Sequence, residues 1–107
     1  MENINVDIAD YKTILFHKGR IDGVVGSCKI DKLWDNLNNS IKDSISKAKG
    51  ILINFGIHKE QTLFVINDLM GEISDVAHNE SDIIFATKNH SSDDKDLIEY
   101  EILITGL

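Results

Sequence analysis

The sequence predicts an α+β domain in which two main helices cover a small mixed sheet of four strands. Two long segments carry apolar residues at the three- and four-residue spacing of amphipathic helices. Four shorter segments have the composition of strands, and the last of them alternates apolar and charged residues as a half-buried strand does. The 107 residues predict one domain, because a chain of this length buries enough surface for a single core.

The first predicted elements are a short helix and a weak strand. The helix covers residues 7–16, and Asp7 suits its N-cap because a carboxylate oxygen accepts from the first unpaired backbone amides. Gly19 ends this pattern. Residues 20–28 then predict a strand, although glycines weaken the match.

The two main helices are predicted over residues 30–49 and about 62–78. The apolar stripe of the first helix consists of Ile30, Leu33, Trp34, Leu37, Ile41 and Ile45. Thr62 is the predicted N-cap of the second. Gly71 lies inside the second helix, where it costs about 1 kcal/mol relative to Ala. We therefore expect another element to pack closely against Gly71.

Three further strands complete the predicted sheet. They cover residues 50–55, which Gly56 would end, 82–87 and 97–106. The segment between the last two is polar and suits the turn of an antiparallel hairpin.

Charge and composition exclude some classes of partner. The net charge of −7 and the scattered basic residues do not suit nonspecific binding to nucleic acid or to an anionic membrane. The single Cys28 cannot form an internal disulfide and is predicted to be a buried structural thiol in a reducing compartment. We expect a cytoplasmic protein, because the sequence has neither a signal peptide nor a long apolar run.

Motifs for metal binding and nucleophilic catalysis are weak. The four histidines are far apart in the sequence and do not have zinc-ligand spacing with Cys28, so surface or capping roles are predicted and no metal site is expected. There is no glycine-rich phosphate-binding pattern. Three acids in the loop at 93–96 are interpreted as a solvated charge run.

One segment, Asn5-Val6-Asp7-Ile8-Ala9-Asp10, has two carboxylates at a spacing that suits a catalytic site. Asp7 and Asp10 are three residues apart at a predicted helix start, so both project from the same first turn. Such a pair can hold and polarise a water while an amide side chain fixes the loop. By spacing alone, however, a helix cap with one solvated acid is the simpler interpretation.

The residues of this segment resemble a known family. INVDIADYKTIL is similar to the FtsZ segment INVDFADVKTVM, which contains the synergy loop of that tubulin-like cell-division GTPase. AKGILINF resembles AKGVLVNI, the stretch from Gly56 to Leu63 resembles GGEDLTL, SDIIFAT resembles ANIIFGT, and IEYEILITGL resembles VRVTVIATGF. The resemblance implies that residues 1–107 form a single domain like the C-terminal domain of FtsZ, with the synergy loop at residues 3–10.

The resemblance also implies a function and its residues. FtsZ subunits assemble head to tail at the division site in the cytoplasm, and the synergy loop of one subunit activates hydrolysis of the GTP, with Mg²⁺, that the next subunit binds. Asp7 and Asp10 would orient the attacking water and Asn5 would position the loop. Leu52, Asn54 and Thr105 would face the cleft between the C-terminal domain and its own N-terminal domain. This domain would need no cofactor of its own.

Several departures limit what the chain is expected to do alone. The GTP-binding domain of the family, with its GGGTGTG loop, has no counterpart here, so we expect neither tight GTP binding nor hydrolysis by this chain by itself. The stretch RIDGVVGSCKIDKLWDN also differs from the family's Met- and Ala-rich pattern. Three hypotheses stay open: a C-terminal domain, either excised or separately encoded; a free-standing FtsZ-like module that caps or regulates filaments; and an unrelated α+β interaction domain.

Overall fold

The computed structural model describes residues 19–107, apart from the side chain of Leu63. The predicted helix at 7–16 and the site residues Asn5, Asp7 and Asp10 therefore lie outside the described residues. The order of the elements is β1 (Asp22–Lys29), a 3-10 turn (Ile30–Lys32), α1 (Leu33–Asn36), α2 (Asn39–Lys47), β2 (Gly50–Ile57), α3 (Leu63–Val76), β3 (Asp82–Asn89) and β4 (Leu97–Thr105).

The four strands form one mixed sheet in the order β1-β4-β2-β3. β4 is antiparallel to both β1 and β2, whereas β2 and β3 are parallel. Helix α3 makes the crossover that a parallel pair requires. The four-stranded mixed sheet predicted from the sequence is confirmed.

The predicted hairpin between β3 and β4 is wrong, because β2 lies between these two strands. β2 is apolar and buried along nearly its whole length, so it needs a hydrogen-bonded neighbour on each side. The polar segment 90–96 consequently spans β2 at one end of the sheet instead of closing a tight turn.

The hydrophobic core lies between one face of the sheet and the helices. From β2 it takes Ile51, Ile53, Phe55 and Ile57, and from β4 it takes Ile98, Tyr100, Ile102 and Ile104. The helices contribute Leu33, Leu37, Ile41, Ile45, Ile66, Leu69 and Ile73. Trp34 and Cys28 pack against this core, but both are only partly buried, so Cys28 is less buried than the sequence predicted.

The first predicted main helix is interrupted. Leu37 has extended backbone angles, φ −74° and ψ 138°, so α1 ends there and α2 begins afresh. The side chain of Asn38 accepts a hydrogen bond from the backbone N–H of Ile41 at 2.9 Å and caps α2. An Asn side chain offers the backbone this alternative to a continuous helix. The apolar spacing survives the interruption, because Leu37 and Ile41 are both buried.

Two expectations about glycines are also wrong. Gly71 is exposed, and a Cβ at this position would have no atom within 4 Å, so no element packs closely against it. Gly56 does not end β2, which continues to Ile57. A Cβ on Gly56 would lie 3.2 Å from the side chain of Glu99, so glycine here allows the opposite strand to approach.

Candidate functional site

The residues predicted to face a cleft share one face of the sheet, the face opposite the helices. Leu52 is paired with Leu103 of β4, and Asn54 with Glu101. Thr105 is paired with Gly50, two residues before Leu52 on the same side of the strand. Leu52 is absent from the core cluster that packs under the helices, although it is buried. We call this second surface the open face.

The open face is apolar and buried at one end. Leu52 is 4% exposed and Thr105 is 0% exposed, and Ala86 of β3 is also buried. Ile84 is paired with Leu52 and is half-buried. This end therefore has the composition of a packing surface.

The other end of the open face is polar and accessible. A shallow groove of about 140 Å³ lies here and is lined in part by Asn54, Lys88, Glu99 and Glu101. Val25 of the edge strand β1 borders the groove and is 76% exposed. Asn54 thus lies between an apolar patch and a charged one, where its amide can donate and accept hydrogen bonds.

The contacts at the end of β4 explain why a threonine and then a glycine stand at positions 105 and 106. The carbonyl of Thr105 accepts from the backbone N–H of Lys49 at 3.0 Å, and its hydroxyl donates to the carbonyl of Gly50 at 3.4 Å. Gly106 has φ +73°, and a Cβ there would lie 2.5 Å from the Cβ of Lys49. Only glycine fits this backbone conformation and this close approach.

Leu107 then returns the chain to the start of β1. It exchanges two backbone hydrogen bonds with Arg20, at 2.9 and 3.1 Å. The closing segment is therefore tied to both neighbours of β4, and Thr105 is held at a fixed place on the open face.

Three of the four histidines bond to nearby backbone as the predicted capping role requires, although His58 is buried and not at the surface, and His17 lies outside the described residues. The structure also adds a contact between two of them that the sequence did not reveal. Nδ1 of His58, His78 and His90 accepts the backbone N–H two residues further on in each case, at 3.0, 3.1 and 3.2 Å. His58 and His90, however, are 32 positions apart in the sequence. Their rings meet edge to face with centroids 6.0 Å apart. Parallel pairing of β2 and β3 produces this contact, since each histidine directly follows its strand.

Exposed ion pairs surround this end of the sheet. Lys29 lies 3.0 Å from Asp94, and Lys95 lies 2.9 Å from Glu60. The hydrogen bond from Lys29 holds the pKa of Asp94 below its usual range, and the bond from Lys95 does the same for the pKa of Glu60. Burial, with a smaller contribution from Asp31, raises the pKa of the Cys28 thiol, which suits a structural rather than a reactive cysteine.

Within residues 19–107, no group of three or more His, Cys, Asp or Glu side chains is placed to hold a metal ion. No helix in the same range is long and apolar enough to cross a membrane.

Comparisons with known proteins agree with the fold described above. No family model matches the chain. The cell division protein FtsZ of Magnetospirillum gryphiswaldense is 31% identical over 91 residues, which cover 78% of this chain and 16% of that protein. FtsZ of Helicobacter pylori is 29% identical over 111 residues, which cover 97% of this chain and 29% of that protein. The chain therefore spans less than a third of the length of these relatives.

Solved structures give the same result. An empty FtsZ dimer from M. jannaschii superposes with a TM-score of 0.79 at 23% identity, covering 96% of this chain and 32% of that one. A point mutant of M. jannaschii FtsZ has a TM-score of 0.74 at 19% identity, and the match covers 97% of this chain and 33% of that one. The fold is thus the α+β class found in tubulin-like proteins. Within that class the chain is an FtsZ-like segment, in sequence and in fold.

Proposed function

We propose that this chain acts as the C-terminal domain of a filament-forming cell-division GTPase and supplies the synergy loop that activates GTP hydrolysis on an adjacent FtsZ subunit. The observation that supports the proposal most strongly is sequence similarity to cell division protein FtsZ over 97% of the chain. Residues 1–107 would form a single unit, with the loop at residues 3–10.

The roles proposed for the loop residues are those that the FtsZ resemblance implies, and they fit the chemistry of phosphoryl transfer. Such a reaction needs a correctly placed water and stabilisation of charge more than it needs a covalent catalyst. Asp7 and Asp10 would hold and polarise the water, and Asn5 would position the loop against the nucleotide. The GTP and its Mg²⁺ would belong to the neighbouring subunit, so hydrolysis would be coupled to head-to-tail assembly in the cytoplasm, at the division site.

The polar end of the open face supports the proposal by offering an accessible place for a second domain. Its apolar end, around Leu52 and Thr105, is separate from the main core but is already buried within this chain. Asn54 lies beside it at the start of the polar end. In an FtsZ-like arrangement these three residues would line the cleft toward the GTP-binding domain.

Stimulation in trans tests the proposal. Full-length FtsZ carrying a substitution that inactivates its own synergy loop would be incubated with GTP and Mg²⁺, and phosphate release followed as the 107-residue chain is added. We expect a saturable increase in the rate and no release from the chain with GTP alone. An unchanged rate at saturating chain would contradict the proposal. A fall in polymer mass without increased release would instead favour a module that caps filaments.

A further inference from the structure

We propose that the free edge of β1 pairs with the β1 edge of a second copy of this chain, so that the two four-stranded sheets join into one continuous sheet. The two copies would be related by a two-fold axis, and their β1 strands would run antiparallel. The contact requires neither GTP nor another kind of protein, so the inference is independent of the proposed GTPase role.

The outer backbone groups of β1 point away from the sheet. In an antiparallel pair, alternate residues direct their N–H and C=O groups toward the partner strand, and the residues between them direct theirs away. The N–H of Ile30, directly after β1, donates to the carbonyl of Asp96, directly before β4, at 2.8 Å. This bond continues the register of β1 with β4. Even-numbered residues of β1 therefore face β4, and Gly23, Val25 and Ser27 face the free edge.

The N–H of Gly23 agrees with this direction. It donates to Oδ1 of the neighbouring Asp22 at 2.9 Å and not to β4. In the part of the chain that the structure describes, β4 is the only strand beside β1, so the outward N–H and C=O groups of Val25 and Ser27 bond to no strand. A row of such groups is a template for pairing with another strand.

β1 lacks the features that usually protect an edge strand from such pairing. Natural edge strands are often very short, or carry a proline, a bulge or a charge along their length. β1 is 8 residues long and pairs with β4 without interruption. It has no proline, and its charged residues, Asp22 and Lys29, stand at its two ends. The other edge strand, β3, differs because Ala86 and Thr87 are buried, so β1 is the more accessible edge.

Exposed apolar side chains next to this edge favour a contact that excludes water. Val25 is 76% exposed, and Ile21, directly before β1, is 54% exposed. Both are odd-numbered and lie on the open face. Residues directly opposite each other on antiparallel strands place their side chains on the same face, so a second strand would cover Val25. Burial of this apolar surface would stabilise the pair.

The charges at the two ends of β1 complement each other when a second copy runs in the opposite direction. Arg20 and Asp22 give a positive and then a negative charge at the start of the strand, and Lys29 and Asp31 repeat that order at its end. An antiparallel copy therefore brings positive charges beside negative ones at both ends. This self-complementarity selects a second copy of the chain as the partner.

The same charges select the register. If Val25 lies opposite Val25 of the second copy, Arg20 lies one residue from Asp31 of that copy, and the two side chains attract. If Val25 lies opposite Ser27 instead, Arg20 lies opposite Lys32, and like charges across a strand pair are unfavourable. In the favoured register, Val25 would exchange two backbone hydrogen bonds with its own copy at the two-fold axis.

Sedimentation equilibrium of the whole chain tests the pairing. The charge of −7 on each copy opposes association, so the test extends to high protein concentration. Up to about 1 mM chain, we expect the average mass to rise from 12.0 kDa toward twice that value. Hydrogen exchange measured by NMR over the same range should show the protection of the Val25 and Ser27 amides rising by about 10-fold or more.

Two variants of the edge should keep the chain monomeric. Val25→Lys places a charge at the two-fold axis. Ser27→Pro removes an N–H that points away from β4, so the fold should be retained while one bond between the copies is lost. Phe64→Lys is the matched control, because it makes the same change at a side chain on α3 that is 78% exposed, and the dimer should remain. Circular dichroism would verify that each variant is folded.

Several results would overturn the proposal. One is a chain that stays monomeric at about 1 mM, as it would if the edge instead served another segment or another protein. Another is a dimer that persists in Val25→Lys or in Ser27→Pro, since a different surface would then hold it. Loss of the dimer in Phe64→Lys, or a dimer in which the Val25 and Ser27 amides stay unprotected, would also contradict pairing through β1.

Discussion

The side-chain amide of Asn36 donates a hydrogen bond of 2.7 Å to the hydroxyl of Tyr100. Asn36 is the last residue of α1, and Tyr100 lies in β4, the strand between β1 and β2. The bond thus ties the short helix before the interruption to the middle of the sheet. It also fixes the position of a tyrosine that is 4% exposed.

Removing the Tyr100 hydroxyl should weaken the fold measurably. Tyr100→Phe leaves the amide of Asn36 without this acceptor in a partly buried place, and we expect a loss of about 1 kcal/mol in the free energy of unfolding. Urea unfolding would measure it. In the double variant with Asn36→Ala the two losses should be less than additive, because both remove one interaction. Full additivity would show that the hydrogen bond contributes nothing.

The same tyrosine explains a glycine that the sequence marked only as weakening a strand. A Cβ at Gly26 would lie 2.6 Å from the Tyr100 hydroxyl oxygen and 2.8 Å from Cζ. Gly26→Ala should therefore overpack the core and reduce the free energy of unfolding by about 1–3 kcal/mol. Chemical denaturation measures the change, and an unchanged midpoint would contradict the packing described here.

Gly71→Ala makes the same chemical change and should have the opposite sign. Gly71 lies within α3 with no atom near the position of a Cβ, and it has no positive φ. Alanine lowers the entropy of the unfolded chain and favours the helix, so we expect about 0.5–1 kcal/mol of stabilisation. The variant serves as the control for Gly26→Ala in the same urea titration. Destabilisation at Gly71 would indicate a close contact absent from this structure.

Asn38 provides a test of the interruption between α1 and α2. Asn38→Ala removes the acceptor for the N–H of Ile41, and we expect a cost of about 1 kcal/mol. Asn38→Asp keeps an acceptor at the N-terminus of α2 and should stay close to the unmodified chain. Thermal unfolding followed by circular dichroism distinguishes the two. Equal stability of Asn38→Ala and Asn38→Asp would mean that the cap does not hold this turn.

The Lys29–Asp94 pair gives a pH dependence of known sign. The hydrogen bond with Lys29 lowers the pKa of Asp94 in the folded protein. The pair therefore stabilises the fold fully at pH values above the pKa of an aspartate in the unfolded chain. This stabilisation is lost as the pH falls through the lowered pKa of Asp94 in the folded protein. Asp94→Asn should therefore be slightly less stable than the unmodified chain at about pH 7, and the difference should vanish once the pH has fallen below the lowered pKa of Asp94. The effect is small because both side chains are exposed. A difference that grows on acidification would reverse the assigned sign.

The sequence predicted the type of most elements because apolar periodicity records which side of each element is buried. Ile51, Ile53 and Phe55 of β2 and the stripe of α2 illustrate this. The order of the strands in the sheet depends instead on which strand edges form hydrogen bonds with each other. Apolar periodicity contains no information about this pairing. The predicted hairpin of β3 with β4 is wrong for that reason. The interruption at Leu37 went unrecognised because the spacing of buried residues continues through it.

The candidate site was predictable only where family resemblance supplied it. Leu52, Asn54 and Thr105 do share one face of the sheet, but their role toward another domain stays a prediction. Asn5, Asp7 and Asp10 lie outside the described residues, and their catalytic role also stays a prediction. The contact between His58 and His90 had no local signal, because it arises from the parallel pairing of distant strands.

The most direct test of the central claim compares Asp7→Asn and Asp10→Asn with the unmodified chain in the assay with loop-inactive FtsZ. The matched control is Asp75→Asn, which changes an exposed acid of α3 in the same way. If the loop positions the attacking water in trans, each loop variant should lower the stimulated rate of phosphate release by about 100-fold, as loss of positioning does, while the control keeps it. Equal stimulation by all four proteins would contradict the account.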